Sequence, residues 1–446
     1  MKKHWMKLLS LGLAAVVMGS LLTGCGDGTG KDADGKVKLK ISFVKAGFGD
    51  EWLKATCDAY TKEHPNVTFE LDGDADMTVK IGTRLEAGVD VPDIAMVLGT
   101  NWQQYAAKGY LADLTELYNS QMENGTLHDK IIKENQEVGK YAGKYYMVPW
   151  ADVCNGFIYN EKLFRENGWK VPATVDEMFT LMDAMKAKGV TPFAFGGKVI
   201  SYWDFPVLAW WAQYEGQEGM REFLKMESPE VYKQDGRLKA LQIFEKIIND
   251  KTNYVEGAMG MDHTQSQMAF IQGKAAMIPM GAWFESEMRN SLPEEFQAKI
   301  MLAPAVTGAK MTNVSVCTSA DMMFIPKKSK NVETAMDFLK FMCEDDMLKL
   351  FTKYTATPRP FDYDAADVDG LSEFGKSVIS AWQSANKVYM YSDNPVYFMK
   401  YFYWPFAGAP YSRIQIGDET AQEAFDNDYN FAKDKWNETR EELGLS

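Results

Sequence analysis

The chain has 446 residues, a net charge of -14, 12 Trp and 27 Met, with aromatics making up 13% of its residues. So acidic a chain is a poor partner for nucleic acid and is not suited to lying flat on anionic lipid. Its length exceeds what one hydrophobic core normally holds, so two lobes are expected.

Lys2, Lys3 and Lys7 precede an apolar run from Leu8 to Leu22, followed at once by Leu22-Thr23-Gly24-Cys25. The run is short for a membrane span and is flanked by positive charge on one side only, the pattern of a cleaved export leader over residues 1–24. The tetrapeptide resembles the bacterial lipobox, which implies that Cys25 becomes a lipidated N-terminus anchoring the mature chain to the cell membrane. Residues 25–36 are polar and Gly-rich, cannot pack a core, and read as a tether.

Leu39 to Val44 alternates as a strand. Asp50 is placed to cap a helix with Leu53, Cys57 and Tyr60 on one face, ending before Pro65. Val67 to Leu71 is a second strand, and a helix carrying Val79, Ile81 and Leu85 precedes a buried strand from Pro92 to Gly99. Asp72-Gly73-Asp74-Ala75-Asp76 begins like a calcium loop, but Met77 stands where Gly is needed, so it reads as a turn. Thr174 and Glu177 form a capping box before Met178, Leu181, Met182 and Met185, and Gly189 ends that helix. Thr191 to Gly196 reads as a short strand, and Ala335, Phe338, Leu339 and Met342 repeat the helical spacing. Strand and helix in alternation predict an α/β fold with largely parallel sheets. Cys57, Cys154, Cys317 and Cys343 never occur as C-x-x-C, and buried free thiols are the preferred reading. The four His show neither metal spacing nor a triad partner, so neither metal nor cofactor is expected.

Tyr145 to Trp150, Gly156 to Phe164, Gly168-Trp169 and Pro172-Ala173-Thr174 occur in order, between Val91-Pro92-Asp93-Ile94 upstream and Phe270 to Met277 and Gly281-Ala282-Trp283 downstream. This ordered set resembles the extracellular solute-binding proteins (family 1) of carbohydrate ABC importers, with distant similarity to maltose-binding protein. The resemblance implies a two-lobe, periplasmic-binding-protein type II-like fold with hinge crossings and a central ligand cleft. The crossings fall near Trp150 to Gly156, Val314 to Ser319 and Tyr354 to Pro360. One lobe then comprises 37–151 and 317–355, the other 152–316 and 356–446. The implied partners are a carbohydrate and the permease subunits of an ABC importer, and a monomer without enzymatic activity is expected.

A sugar presents apolar C–H faces and a rim of hydroxyls, so aromatic faces and planar polar groups are the candidate contacts. Trp283 stands where the family's Gly-x-Trp supplies a stacking platform, the alternative being an indole packed between helices. Tyr202 and Trp203 lie in a loop similar to the family's aromatic ligand loop, beside Asp204, which either accepts from hydroxyls or caps the following helix. Phe48, Asn101 and Trp102 lie in loops at strand ends, where the family places contacts, although Trp102 can instead pack the helix that it begins. Trp150, Asp152 and Asn155 lie in the first crossing. Tyr403 and Trp404 end an aromatic run near a family ligand Trp. Arg359 either reaches the third crossing or is a solvated loop cation. The alternatives to sugar capture are an exported glycoside-active enzyme, whose two carboxylates any chain with 62 acidic residues would supply, and a receptor for a non-sugar solute.

Overall fold

The computed structural model describes residues 35–98, 102–317, 321–390 and 409–442. The N-terminal part alternates β1 (Val37–Val44), α1 (Glu51–Glu63), β2 (Val67–Asp74), α2 (Met77–Ala87) and β3 (Ile94–Val97). Three short helices, α3 (Trp102–Ala107), α4 (Thr115–Tyr118) and α5 (Leu127–Lys130), and a hairpin of β4 (Lys140–Tyr141) and β5 (Lys144–Tyr145) lead into β6 (Val148–Ala151). β7 (Asn155–Asn160) follows, then α6 (Glu161–Asn167), α7 (Val175–Ala187), α8 (Asp204–Lys225), α9 (Asp235–Asn249), α10 (His263–Ile271), β8 (Met277–Gly281), α11 (Phe284–Met288) and β9 (Ala298–Met301). The chain continues through β10 (Val314–Cys317), β11 (Asp321–Phe324), α12 (Val332–Phe341), α13 (Asp345–Thr355), α14 (Glu373–Ser384) and β12 (Asn386–Tyr389). Helices α15 (Ala409–Ile416) and α16 (Ala421–Glu442) close the described chain.

The first sheet has the order β2-β1-β3-β11-β6. Its two faces follow the two-residue strand period: Ile94 and Met96 of β3 join one core with Met323 of β11, whereas Ala95 and Val97 join the core on the other face with Met322 and Phe324. Helices α1, α12 and α13 cover the first face through Leu53, Cys57, Tyr60, Phe338, Leu339 and Phe351. The second sheet, β8-β7-β9, is buried in a separate core with the apolar stripes of α7, α8 and α9 and with residues as far as Trp436. The fold is two-lobed α/β. β6 ends in the first sheet at Ala151 and β7 begins in the second at Asn155. β10, paired in parallel with β12, precedes β11 of the first sheet.

Sheet polarity differs from the expectation. β1 pairs with β2 and β3 in parallel, but β11 is antiparallel to both its neighbours, and β7 is antiparallel to β8 and β9. The return of the chain from one lobe to the other inserts β11 against the direction of the strands beside it. Thr191 to Gly196 forms only isolated bridges, Phe193 to Tyr254 and to Met277, rather than a strand. Val79 is 76% exposed, on the outer face of α2, while Ile81 and Leu85 are buried. Asp50 makes no side-chain cap and instead ion-pairs with Lys45 at 3.0 Å and Lys54 at 3.1 Å. The capping box at α7 is shifted by one residue: Thr174 accepts from the Glu177 backbone at 3.2 Å, while the Glu177 carboxylate accepts from the backbone of Ala173 at 2.7 Å. All four cysteines among the described residues are buried free thiols.

Candidate ligand cleft

On the second lobe, a 3-10 stretch Gly197–Trp203 turns the chain into α8. The turn is tight against the neighbouring loop: a β-carbon on Gly197 would lie 2.4 Å from the Met259 Cα. The geometry sends successive side chains opposite ways. Trp203 is fully buried and edge-packed on Phe157, Phe193 and Phe195, with centroids 6.1, 5.5 and 5.7 Å away. It belongs to the core, not to the cleft. Tyr202 remains half-buried, 5.9 Å from Phe205 and 6.2 Å from Trp283, and Phe205 meets Trp283 edge-on at 5.4 Å. Burial, and secondarily the charge of Glu287, push the Tyr202 hydroxyl above its usual pKa, so it stays neutral.

Trp283 follows β8 and is half-buried against the second core. The preceding Gly281 is required by contact: a β-carbon there would lie 2.0 Å from Cζ3 of the Trp283 ring. The Gly-x-Trp spacing thus lets the indole lie across the end of the strand. Phe205 is absent from the sequence candidates; its position three residues after Tyr202, on the same face of one helical turn, was the available signal.

On the first lobe, Phe48 is half-buried and stands edge-on to Trp150 at 5.5 Å. Trp150 is only 3% exposed and stacks on Trp52 at 5.7 Å, and Trp52 meets Phe351 edge-on at 4.9 Å. Trp150 is therefore a buried support beneath Phe48 rather than a wall residue. Its indole N–H and that of Trp52 have no hydrogen-bond partner. The two lobes approach one another beside these rings, where a β-carbon on Gly47 would be 3.1 Å from the Trp283 Cβ.

Other candidates hold the frame. Asp152 is buried and accepts from the Trp382 indole at 2.6 Å and the Tyr389 hydroxyl at 2.8 Å, joining the first crossing to α14 and β12. Burial raises its carboxyl pKa against the opposing effect of those two hydrogen bonds. Asn155 is also buried and donates to the Val316 carbonyl at 2.7 Å, tying β7 to β10. Trp102 is 3% exposed in the core on the second face of the first sheet. Arg359 is neither a ligand contact nor a solvated cation: it is 1% exposed, donates to the carbonyls of Met342 and Pro149, and lies over Phe361 at 5.1 Å. Asp204 does not cap α8; its carboxyl is buried, one oxygen lacks a partner, and burial alone holds its pKa well above the usual carboxylate range. Cys25, Asn101, Tyr403 and Trp404 lie outside the described residues.

No group of three or more His, Cys, Asp or Glu among the described residues is arranged to hold a metal, and none of their helices is long and apolar enough to cross a membrane. The cluster of Tyr202, Phe205 and Trp283 presents partly exposed aromatic surface, which suits a ligand with apolar faces.

Known proteins share this architecture. The apo structure of RafE from Streptococcus pneumoniae superposes with a TM-score of 0.69 at 20% identity, covering 89% of this chain and 97% of that one. The GacH receptor of Streptomyces glaucescens, solved unliganded and with acarbose, does so at 0.68 and 18% identity, covering 89% and 98%. By sequence, the chain is 27% identical over 301 residues to a multiple sugar-binding protein of Streptococcus mutans, covering 66% of this chain and 68% of that one. It is 21% identical over 376 residues to the diacetylchitobiose binding protein NgcE of Streptomyces coelicolor, covering 79% of each chain. The family described as bacterial extracellular solute-binding protein matches residues 45–347, and the chain belongs to that family.

Proposed function

We propose that the protein is an extracytoplasmic receptor, lipid-anchored through Cys25, that captures an oligosaccharide by lobe closure and delivers it to an ABC permease. The carrying observation is the cluster of half-buried Tyr202, Phe205 and Trp283, whose Trp283 lies against Gly47 of the opposite lobe. Such rings cover the C–H faces of pyranoses, while the closed lobes exclude water from the hydroxyl contacts. The sugars named for the relatives in Streptococcus and Streptomyces support a carbohydrate. Closure follows from differential affinity: a ligand touching both lobes favours the shut form over the open one.

Within this reading, the first lobe comprises 37–151 and the segment from 317, and the second comprises 152–316 and the C-terminal part. Phe361 packs with the first-lobe core and Ala365 with the second. We therefore place the third crossing between these two residues rather than at 355–356. The protein acts as a monomer and without turnover.

The test is a titration of intrinsic Trp fluorescence with a panel of oligosaccharides, with product analysis of the same mixtures. A saturable shift with unchanged sugar supports capture. Sugar hydrolysis, or no response across neutral oligosaccharides with a response to another solute, contradicts it. Globomycin-sensitive processing of the precursor tests the anchor.

A further inference from the structure

One stretch of the second lobe, Trp283 to Arg289, touches three separate places on the first. The Ser286 hydroxyl donates to the Gly47 carbonyl. Arg289 donates through one nitrogen to the Tyr354 carbonyl at 2.7 Å, and through the other pairs with Glu51 at 3.3 Å. Gly47 itself lies against the Trp283 Cβ, and α11 packs beside α13. Gly47, Glu51 and Tyr354 come from the β1–α1 loop, the start of α1 and the end of α13, so these contacts run from one lobe to the other.

We infer that Arg289, with Ser286, Glu51 and Gly47, forms a latch that biases the lobes toward the shut form independently of the ligand and thereby sets how slowly the ligand leaves. The inference rests on the capture reading for its effect on the ligand, but the latch itself does not need one. Each contact exists only when the lobes meet. Its whole stabilisation therefore enters the open–shut equilibrium, and the apparent affinity scales with the shut fraction. The Arg289 and Glu51 side chains are 52% and 67% exposed, so their attraction is modest and screened by salt. Gly47 adds a steric element. Its backbone is outside the positive-φ region, so alanine is conformationally allowed there, yet its β-carbon would press on Trp283 at 3.1 Å only in the shut form.

The experiment places spin labels at the exposed positions Lys62→Cys and Lys239→Cys of the mature protein, one per lobe, and measures the distance distribution without ligand. Wild type is compared with Arg289→Ala, Glu51→Gln and Gly47→Ala, at low salt and at high salt. The expected result is a smaller short-distance population in all three variants. Added salt should shift wild type the same way and leave Arg289→Ala unmoved. With an oligosaccharide that wild type binds, Arg289→Ala should dissociate about 3–10 times faster at unchanged melting temperature. If no sugar binds, the capture reading fails while the distance measurement still decides the latch. Unchanged, salt-insensitive distributions in well-folded variants would overturn it.

Discussion

The Trp283 indole lies over Gly281 so closely that a β-carbon on the glycine would come within 2.0 Å of the ring. The two residues act as one unit: the glycine makes room and the tryptophan presents its face beside Tyr202 and Phe205. Trp283→Ala should weaken oligosaccharide binding by on the order of 1–3 kcal/mol with little loss of thermal stability. Gly281→Ala should displace the ring and weaken binding in the same direction. Calorimetric titration and thermal unfolding of both variants check this, and unfolding without a binding phenotype would return Trp283 to the core.

The neighbouring tryptophan should behave in the opposite way. Trp203 is fully buried among Phe157, Phe193, Phe195 and Phe244. Trp203→Ala should cost about 3–5 kcal/mol of stability through the cavity it leaves, measured by denaturant unfolding. Tyr202→Ala should leave stability nearly intact and affect sugar affinity.

The contrast between these adjacent residues shows where sequence reading stops. The stripe of Met178, Leu181, Met182 and Met185 is buried as its spacing predicts, because a helix imposes its period locally. The division between Tyr202 and Trp203 depends on a 3-10 turn pressed against Met259, which no local pattern records. Asp152 and Asn155 were legible as polar residues at a crossing, but their partners Trp382, Tyr389 and Val316 are more than 150 positions away. Arg359 resembles a loop cation until Met342 and Pro149 supply its acceptors. The antiparallel β11 was hidden for the same reason, since its neighbours β3 and β6 come from a distant part of the chain.

Asp152→Ala removes the acceptor of both the Trp382 indole and the Tyr389 hydroxyl. Two buried donors are then left unpaired, at a cost on the order of 2–5 kcal/mol. Denaturant unfolding should show this loss, and a stability equal to that of the parent would refute its role in holding the crossing.

Asp204 makes stability depend on pH. Burial raises its folded pKa, so between the unfolded value near 4 and the higher folded value the native state holds a proton that the unfolded state has released. Stability from this group is fully present at acid pH and falls as pH rises, by up to about 1.4 kcal/mol per pH unit. Asp204→Asn should flatten that decline, with its largest gain relative to the parent at alkaline pH. Melting temperatures of both proteins from pH 5 to pH 9 check the sign; parallel profiles would show that the group does not titrate as described.

The most direct test of ligand capture is small-angle scattering of the mature protein with and without a saturating oligosaccharide identified by titration. The account predicts a smaller radius of gyration with the sugar bound, larger in amplitude for Arg289→Ala, whose free form starts more open. Tight binding with no compaction in either protein would contradict capture by lobe closure.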